Sequence, residues 1–138
     1  MNSGVTTETG ATSLQEKVNI LVVDDLPEKH VVFRSILEWH DMQILSAETG
    51  RDAIALLNAT PQIDIVLMDI MMPEMDGYET IRAIRGIAQF KSLPIIAVTA
   101  KAMKGDREKC IEAGAWDYLS KPVNTHDLLT VLRAWLHQ

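Results

Sequence analysis

The chain has 138 residues and a formal net charge of -6; 47% of its residues are hydrophobic and 23% are charged. These values are typical of one globular domain and exclude collagen-like, coiled-coil and disordered chains. The negative charge argues against direct binding of nucleic acid or anionic membranes, and no apolar segment approaches the about 18 residues that membrane insertion requires.

The first 17 residues and the cysteine content bear on location. Residues 1–17 are rich in Ser, Thr and Gly and lack the basic start and apolar centre of a secretory signal. We expect them to form a flexible tail ahead of a domain over residues 18–138. Cys110 is the only cysteine, so no internal disulfide can form, and a reducing, cytoplasmic location is expected.

From residue 18 onward, short apolar segments alternate with segments of helical periodicity. This pattern is typical of βα units around a parallel sheet and predicts an α/β fold. Five strands, rich in Ile, Val and Leu, are predicted over residues 18–23, 42–47, 63–68, 94–98 and 116–119. Five helices are predicted to begin near Pro27, Gly50, Gly77, Met103 and Thr125.

Two of the helices have recognisable start signals. Asp76 is followed three residues later by Glu79, and Asn124 is followed likewise by Asp127, as in a capping box. The last helix also carries one apolar stripe at Leu128, Val131, Leu132, Trp135 and Leu136. The fourth helix has many charged residues and few apolar ones, so it is expected to be held less tightly than its neighbours.

Polar side chains follow four of the five predicted strands. Asp24 and Asp25 follow the first strand, Asp69 the third, Thr99 the fourth, and Lys121 lies just beyond the fifth. Ligands of open parallel sheets bind outside the carboxyl ends of the strands. If the strands are parallel neighbours, three carboxylates, a hydroxyl and an ammonium meet at one edge.

Three ionised carboxylates close together repel by several kcal/mol per pair, so a positive charge must balance them. Lys121 can offset one, and Mg²⁺ suits the all-oxygen remainder. One Asp could then act as the nucleophile on an activated phosphoryl group, with Thr99 donating a hydrogen bond to a phosphoryl oxygen. The residues alone therefore predict a metal-assisted phosphate site.

Four segments of the sequence resemble a known family. They are residues 20–25 (Ile-Leu-Val-Val-Asp-Asp), residues 66–73 (Val-Leu-Met-Asp-Ile-Met-Met-Pro) with 75–77 (Met-Asp-Gly), residues 98–100 (Val-Thr-Ala) and residues 117–122 (Asp-Tyr-Leu-Ser-Lys-Pro). In this order and spacing they resemble the CheY-like receiver domains of two-component response regulators, especially those of phosphorelays and hybrid histidine kinases. The resemblance implies a flavodoxin-like sheet of five parallel strands in the order 2-1-3-4-5.

The resemblance also implies a phosphoacceptor and a metal site. Asp69 would take a phosphoryl group from a phosphohistidine of a sensor histidine kinase or of a histidine phosphotransfer protein. Asp25, Asp69 and the main-chain carbonyl of Met71 would bind Mg²⁺ directly, and Asp24 would act mainly through metal-bound water. Such a domain catalyses its own phosphorylation and dephosphorylation and is not an enzyme with a separate substrate.

The same resemblance implies how the domain would switch. Thr99 and Lys121 would contact the phosphoryl group, and a cis peptide bond before Pro122 would aim the lysine inward. Tyr118 occupies the position of the family's rotating aromatic residue. Phosphorylation would draw Thr99 toward the phosphoryl oxygens, Tyr118 would turn inward, and the surface of the fourth helix, fifth strand and fifth helix would change.

The output is expected to be a contact with a downstream protein or onward phosphotransfer, because the sequence shows no output domain after the last helix. Two uses stay open: a stand-alone regulator, which the start at Met1 and the tail slightly favour, or an excised receiver module of a hybrid histidine kinase or multidomain regulator. Trp116 likewise has two readings, local packing or part of a partner surface.

Three other functions are alternatives to this one. A phosphatase of the haloacid dehalogenase type usually has a second Asp two residues after its nucleophile, where this chain has Met71. A flavodoxin-like cofactor binder needs a Ser-, Thr- or Gly-rich loop after its first strand, where this chain has Asp24 and Asp25. A receiver used only as a docking module is compatible with the sequence.

Overall fold

The protein is described by a computed structural model over residues 18–72, 74–100 and 104–136. The predicted tail over residues 1–17, the predicted helix start at Met103 and Pro73 of the second motif lie outside the described residues. For residues 27–32 and 104, only the main chain is described.

Within the residues that the structure describes, five strands and five helices alternate, as the sequence predicts. They are β1 (Val18–Val23), α1 (Pro27–Trp39), β2 (Met42–Ala47), α2 (Gly50–Ala59), β3 (Ile65–Asp69), α3 (Gly77–Arg85), β4 (Ile95–Thr99), α4 (Lys104–Ala113), β5 (Asp117–Ser120) and α5 (Thr125–Leu136). A single turn of 3₁₀ helix, Ala88–Phe90, lies between α3 and β4.

The strands form one parallel sheet in the order β2-β1-β3-β4-β5. This confirms both the predicted fold class and the implied strand order. Because the chain reverses direction across the sheet between β1 and β3, the loops after these two strands diverge and leave a crevice at their carboxyl ends. The polar residues that follow the strands line this crevice.

The last three strands begin and end slightly later than predicted. The apolar segment at Ile63 is not yet part of β3, because the main-chain nitrogen of Ile63 donates to Thr60 in the turn after α2. At the other end, Asp69 still pairs with Val98 of β4 and is the last residue of its strand. The consequence is that Asp69 is held by the sheet itself.

The core has two layers because alternate residues of every strand point to opposite faces of the sheet. On the face covered by α2, α3 and α4, the buried strand residues include Leu21, Val23, Val66, Met68, Ile95 and Ala97. On the face covered by α1 and α5, they include Ile20, Val22, Ile65, Leu67, Ile96 and Val98. Burial on both faces explains why the strands read as continuous apolar segments.

The predicted helix starts are present, with one difference in detail. Asp76 and Glu79 form a reciprocal capping box at the start of α3, with hydrogen bonds of 2.9 Å and 3.2 Å. At the start of α5, Asn124 Oδ1 accepts from the main-chain nitrogen of Asp127 at 2.7 Å. The Asp127 carboxylate, however, accepts from the Asn124 side chain and not from its main chain.

Helices α4 and α5 differ in how they are anchored. The stripe of α5 packs on the sheet as predicted, with Leu128 and Leu132 fully buried, and Leu129, which the stripe omitted, is buried too. Helix α4 buries Cys110 and Ala113, whereas Ile111 is 43% exposed. None of the helices in the described residues combines the length and apolar composition needed to cross a membrane.

Trp116 packs locally at the amino ends of β4 and β5. Its ring lies 5.4 Å from that of Trp135 on α5, and the guanidinium of Arg85 lies over it at 5.6 Å. Arg85 also donates to the main-chain carbonyls of Phe90 and Gly114 at 2.8 Å and 2.9 Å. We call these five groups the arginine cluster: the side chains of Arg85, Trp116 and Trp135 and the main-chain carbonyls of Phe90 and Gly114.

Candidate functional site

The structure brings the three predicted carboxylates together. One oxygen from each of Asp24, Asp25 and Asp69 lies within 4.8 Å of the other two. Asp24 and Asp69 are each 2% exposed, and Asp25 is half-buried. Strands β1 and β3 are hydrogen-bonded neighbours, so their carboxyl ends must deliver these side chains to the same place.

Lys121 supplies the cation at this group. Its Nζ lies 2.9 Å from Asp69 Oδ1 and 3.9 Å from Asp24 Oδ2, and its side chain is 22% exposed. The main-chain nitrogen of Lys121 donates to the carbonyl of Thr99 at 2.8 Å, and the bond between Lys121 and Pro122 is cis, as the resemblance implied. One ammonium therefore faces three carboxylates.

Two main-chain groups that the sequence gives no sign of also bind the carboxylates. The nitrogen of Leu26 donates to Asp24 Oδ1 at 2.9 Å, and the nitrogen of Met71 donates to Asp69 Oδ1 at 3.3 Å. Each bond spans two residues, which is the local turn that Asp side chains commonly make. Both carboxylates are therefore held in one orientation.

The start of α3 packs directly under the phosphoacceptor candidate. The main-chain nitrogen of Gly77 donates to the carbonyl of Ile70 at 3.0 Å. A Cβ at position 77 would collide with the carbonyl oxygen of Asp69 and would lie 2.6 Å from the Cα of Ile70. Only glycine allows the helix to begin this close to the end of β3. Glu74, in the loop between them, has a left-handed φ of 65°.

Thr99 and Tyr118 lie at different distances from the carboxyl edge of the sheet. Thr99 ends β4, is 2% exposed and lies at the same edge as Asp69, which pairs with the preceding residue Val98. Tyr118 lies deeper along β5, opposite Ala97, and its half-buried side chain packs on the face covered by α2, α3 and α4. Thr99 therefore borders the carboxylates, and Tyr118 lies behind it.

The electrostatic balance of the site favours a further cation. Burial raises the pKa of the Asp69 carboxyl above its ordinary value of 3.8, against the opposing hydrogen bond and charge of Lys121. The negative charge of Asp24 raises it further. A carboxyl whose pKa stays raised despite a bound lysine lacks full compensation of its charge.

The donor set fits Mg²⁺. All the side-chain ligands are carboxylate oxygens, which this hard cation prefers, and their mutual distances allow one ion to be shared. The methionines nearby do not change this, because thioethers are poor ligands for a hard cation. Asp25, Asp69 and the carbonyl of Met71 are the groups that would hold the ion, with Asp24 beside them.

A sequence model of the response regulator receiver domain matches residues 20–133. The chain belongs to the response regulator receiver family. The Protein PilH of Pseudomonas aeruginosa is 39% identical over 117 residues, which span 85% of this chain and 96% of PilH. The sensor histidine kinase CheAY of Helicobacter pylori is 35% identical over 115 residues, which span 83% of this receiver but only 14% of CheAY.

Solved receiver structures agree with the fold. The receiver domain of a sensor histidine kinase from Pseudomonas aeruginosa was solved with a magnesium ion coordinated in its active-site cleft. Its sequence is 34% identical to this receiver and the TM-score of the superposition is 0.81. The matched region spans 88% of this chain and 99% of the kinase receiver. The family match excludes the phosphatase and the flavodoxin-like cofactor binder as alternatives. At the position where a phosphatase has its second Asp, this chain has Met71, whose side chain is 55% exposed and cannot act as an acid.

Proposed function

We propose that this receiver is a magnesium-dependent phosphoryl-accepting switch in which Asp69 takes the phosphoryl group from a phosphohistidine of a partner protein. The partner would be a sensor histidine kinase or a histidine phosphotransfer protein, and the output a contact with a downstream protein. The receiver would catalyse its own phosphorylation and dephosphorylation without acting on a separate substrate.

The observation that carries this proposal is the environment of Asp69. Its Oδ1 accepts from Lys121 Nζ and from the main-chain nitrogen of Met71. Among the described residues, no hydrogen bond reaches Oδ2. One oxygen thus orients the carboxylate while the other stays available as a nucleophile beside two further carboxylates that a divalent cation can neutralise.

The transfer forms one bond and breaks one. A carboxylate oxygen of Asp69 bonds to phosphorus while the phosphorus–nitrogen bond of the phosphohistidine breaks, and the bonding electrons return to the imidazole. Lys121 balances the charge of the phosphoryl oxygens, and Thr99 donates a hydrogen bond to one of them. Bound magnesium would add positive charge next to the same oxygens.

Hydrolysis of the aspartyl phosphate resets the switch. Between the two events, the added charge at Asp69 attracts Lys121 and the hydroxyl of Thr99, which ends a strand and moves with the loop that follows it. Tyr118, directly behind Thr99, would turn into the space that this movement opens. The surface of α4, β5 and α5 then differs between the two states.

Acetyl phosphate with Mg²⁺ tests the chemistry without a kinase. We expect the intact mass of the protein to increase by one phosphoryl group, and the adduct to disappear on treatment with hydroxylamine. Asp69→Asn should remove the adduct entirely. Lys121→Met should slow its formation by roughly 10²- to 10³-fold, as for loss of a preorganised charge next to a transition state.

Asp52→Asn is the matched control, because Asp52 is an exposed carboxylate on α2 away from the site. It should label like the wild type. Labelling that survives in Asp69→Asn would refute the assignment of the phosphoacceptor. A wild-type protein that is folded and binds Mg²⁺ but never labels would support the docking-module reading.

The second use of the same chemistry is an intermediate of a phosphorelay, as a receiver module of a hybrid histidine kinase or multidomain regulator. The similarity to a solved kinase receiver favours it, and the similarity to PilH over nearly its whole length favours a stand-alone regulator. Transfer from the labelled receiver back to a histidine phosphotransfer protein would distinguish them: a relay intermediate passes the phosphoryl group on faster than it hydrolyses.

A further inference from the structure

The guanidinium of Arg107 on α4 lies over the ring of Tyr118. The guanidinium carbon lies 5.6 Å from the centre of the Tyr118 ring, within the range of a cation–π interaction. The Arg107 side chain is exposed and makes no hydrogen bond or ion pair with any other described residue. The cation–π contact with Tyr118 is therefore the one hydrogen-bond, ion-pair or ring contact of this side chain among the described residues.

The main chain at Tyr118 is fixed, whereas its side chain has room to change. Its nitrogen donates to Asp117 Oδ1 at 2.8 Å, and the residue is paired with Ala97 in the sheet. A change of χ1 rotamer would leave these bonds intact but would carry the ring several ångström away from Arg107. The contact with Arg107 therefore belongs to one orientation of the ring.

The two cation–π pairs among the described residues differ in how firmly the arginine is held. Arg85 lies over Trp116 at the same distance of 5.6 Å, but its guanidinium is tied to two main-chain carbonyls and is half-buried. Arg107 has no such ties and sits on the helix with few apolar anchors, near its buried residue Cys110. The first pair is a fixed part of the fold, and the second can break without cost to the core.

We propose that Arg107 is a positioning residue that holds the Tyr118 ring in the orientation seen here, so that switching must break this contact. The inference rests on the proposed function, in which Tyr118 turns when Asp69 is phosphorylated. At an exposed site, a cation–π contact changes the ratio of two ring orientations by about two- to fivefold. Arg107 would thus set how readily the receiver switches.

Tyrosine signals in nuclear magnetic resonance spectra test this directly. The chain has only two tyrosines, so ring-labelled protein gives two sets of signals, and Tyr78→Phe assigns them. In chelator, Arg107→Met should move the Tyr118 signals toward their positions in wild-type protein with beryllofluoride and Mg²⁺. By reciprocity, its apparent beryllofluoride affinity should rise by up to the same two- to fivefold.

Two further variants separate this role from a general effect on α4. Arg107→Lys keeps the cation and should restore most of the wild-type signal position. Lys109→Met removes an equal charge from an exposed position of the same helix and should leave Tyr118 unmoved. Unchanged Tyr118 signals in Arg107→Met, or an equal shift in Lys109→Met, would overturn the inference.

The experiment also tells this inference apart from the proposed function. Wild-type protein whose Tyr118 signals ignore beryllofluoride and Mg²⁺ would contradict the switch itself. A wild-type response that Arg107→Met leaves unaltered, in both signal position and affinity, would contradict the role of Arg107 alone.

Discussion

Burial disfavours the charged form at both ends of the sheet, but different groups surround the charge at each end. At the carboxyl ends, three carboxylates face one ammonium, and burial raises the pKa of Asp69. At the amino ends, the arginine cluster surrounds one guanidinium with two carbonyls and an aromatic ring, and burial lowers the pKa of Arg85. Both groups carry a net charge: the three carboxylates outnumber the ammonium of Lys121, and no described carboxylate pairs with Arg85.

The two ends differ in the source of the groups that compensate the buried charge. The carbonyls and the indole that surround Arg85 belong to the chain, while its Nη2 atom is buried without a hydrogen-bond partner among the described residues. We expect the two hydrogen bonds and the ring contact to outweigh the cost of this one atom, so the cluster should add to stability. The three carboxylates repel one another, and among the described residues only Lys121 offsets their charge, so we expect them to reduce stability unless a cation from solution binds. The amino ends should therefore lose stability when their charge is removed, and the carboxyl ends should gain it.

The largest effect is expected at the arginine cluster. Arg85→Met should lower the free energy of unfolding by about 3 kcal/mol, because two charge-assisted hydrogen bonds and the cation–π contact with Trp116 are lost, and the Gly114 carbonyl loses the Arg85 donor. Urea unfolding in chelator measures it. Arg82→Met, an exposed arginine of the same helix, should change stability by less than about 0.5 kcal/mol. Equal losses in the two variants would mean that the cluster contributes nothing specific.

The next effect is expected at the joint between β3 and α3. Gly77→Ala should lower the free energy of unfolding by about 2 kcal/mol and weaken Mg²⁺ binding, because the new methyl group displaces the main chain of Asp69 and Ile70. Gly86→Ala is the control, since its Cβ would meet its nearest neighbour, the Ala83 carbonyl, at 3.4 Å. Normal Mg²⁺ affinity in Gly77→Ala would show that the site tolerates this displacement.

A smaller effect of opposite sign is expected at the carboxylates. In chelator at pH 7, Asp69→Asn should raise the free energy of unfolding by about 1–2 kcal/mol, because it removes a buried charge beside Asp24. The raised pKa of Asp69 means that its neutral form is the one the fold favours. The free energy of unfolding of Asp69→Asn should therefore exceed that of the wild type by an amount that grows as pH rises above 3.8, and the two should become equal as pH falls to that value.

Magnesium should reverse the order of these two proteins. At a concentration of 100 times its dissociation constant, Mg²⁺ stabilises the wild type by about 2.7 kcal/mol, and Asp69→Asn by much less because a ligand is missing. Thermal unfolding with and without Mg²⁺ measures both. An Asp69→Asn protein that is less stable than wild type in chelator would show that Lys121 already compensates the site.

The smallest effect is expected at Glu74, whose left-handed backbone is unfavourable for a side chain with a Cβ. Glu74→Gly should raise the free energy of unfolding by about 0.5 kcal/mol, because relief of this strain slightly exceeds the added entropy of the unfolded chain. Glu108→Gly, in the interior of α4, should lower it by about 1 kcal/mol. Chemical unfolding of both variants gives the two signs.

Local patterns in the sequence predict most of the fold and of the candidate site. Burial on both faces makes the strands apolar along their whole length, and residues that break these segments at Asp24, Asp69 and Thr99 mark the edge where ligands bind. The last three strands begin one or two residues later and end one residue later than the sequence predicts, because the hydrogen bonds that bound a strand depend on its neighbours. Ile63 is apolar enough for β3 but donates within a turn.

The contacts that orient the site could not be read from the sequence. The hydrogen bonds of Leu26 and Met71, the approach of Gly77 to Asp69, and the contact of Arg107 with Tyr118 join groups whose residue types carry no special signal. The sequence allows Trp116 either to pack locally or to form part of a partner surface, and its contacts with Trp135 and Arg85 favour local packing.

By itself, the sequence determined which residues carry charge, where strands and helices alternate, and to which edge of a parallel sheet the carboxylates must come. These follow from short-range periodicity and from the geometry that all such sheets share. Only the tertiary structure decided that Lys121 binds the Oδ1 atom of Asp69 and that this leaves the charge of Asp69 incompletely compensated. It also decided that Arg85 is fixed by hydrogen bonds to main-chain carbonyls, whereas Arg107 is held, among the described residues, by a ring contact alone. Such outcomes depend on distances of a few ångström between distant segments, and electrostatic energies change steeply over that range.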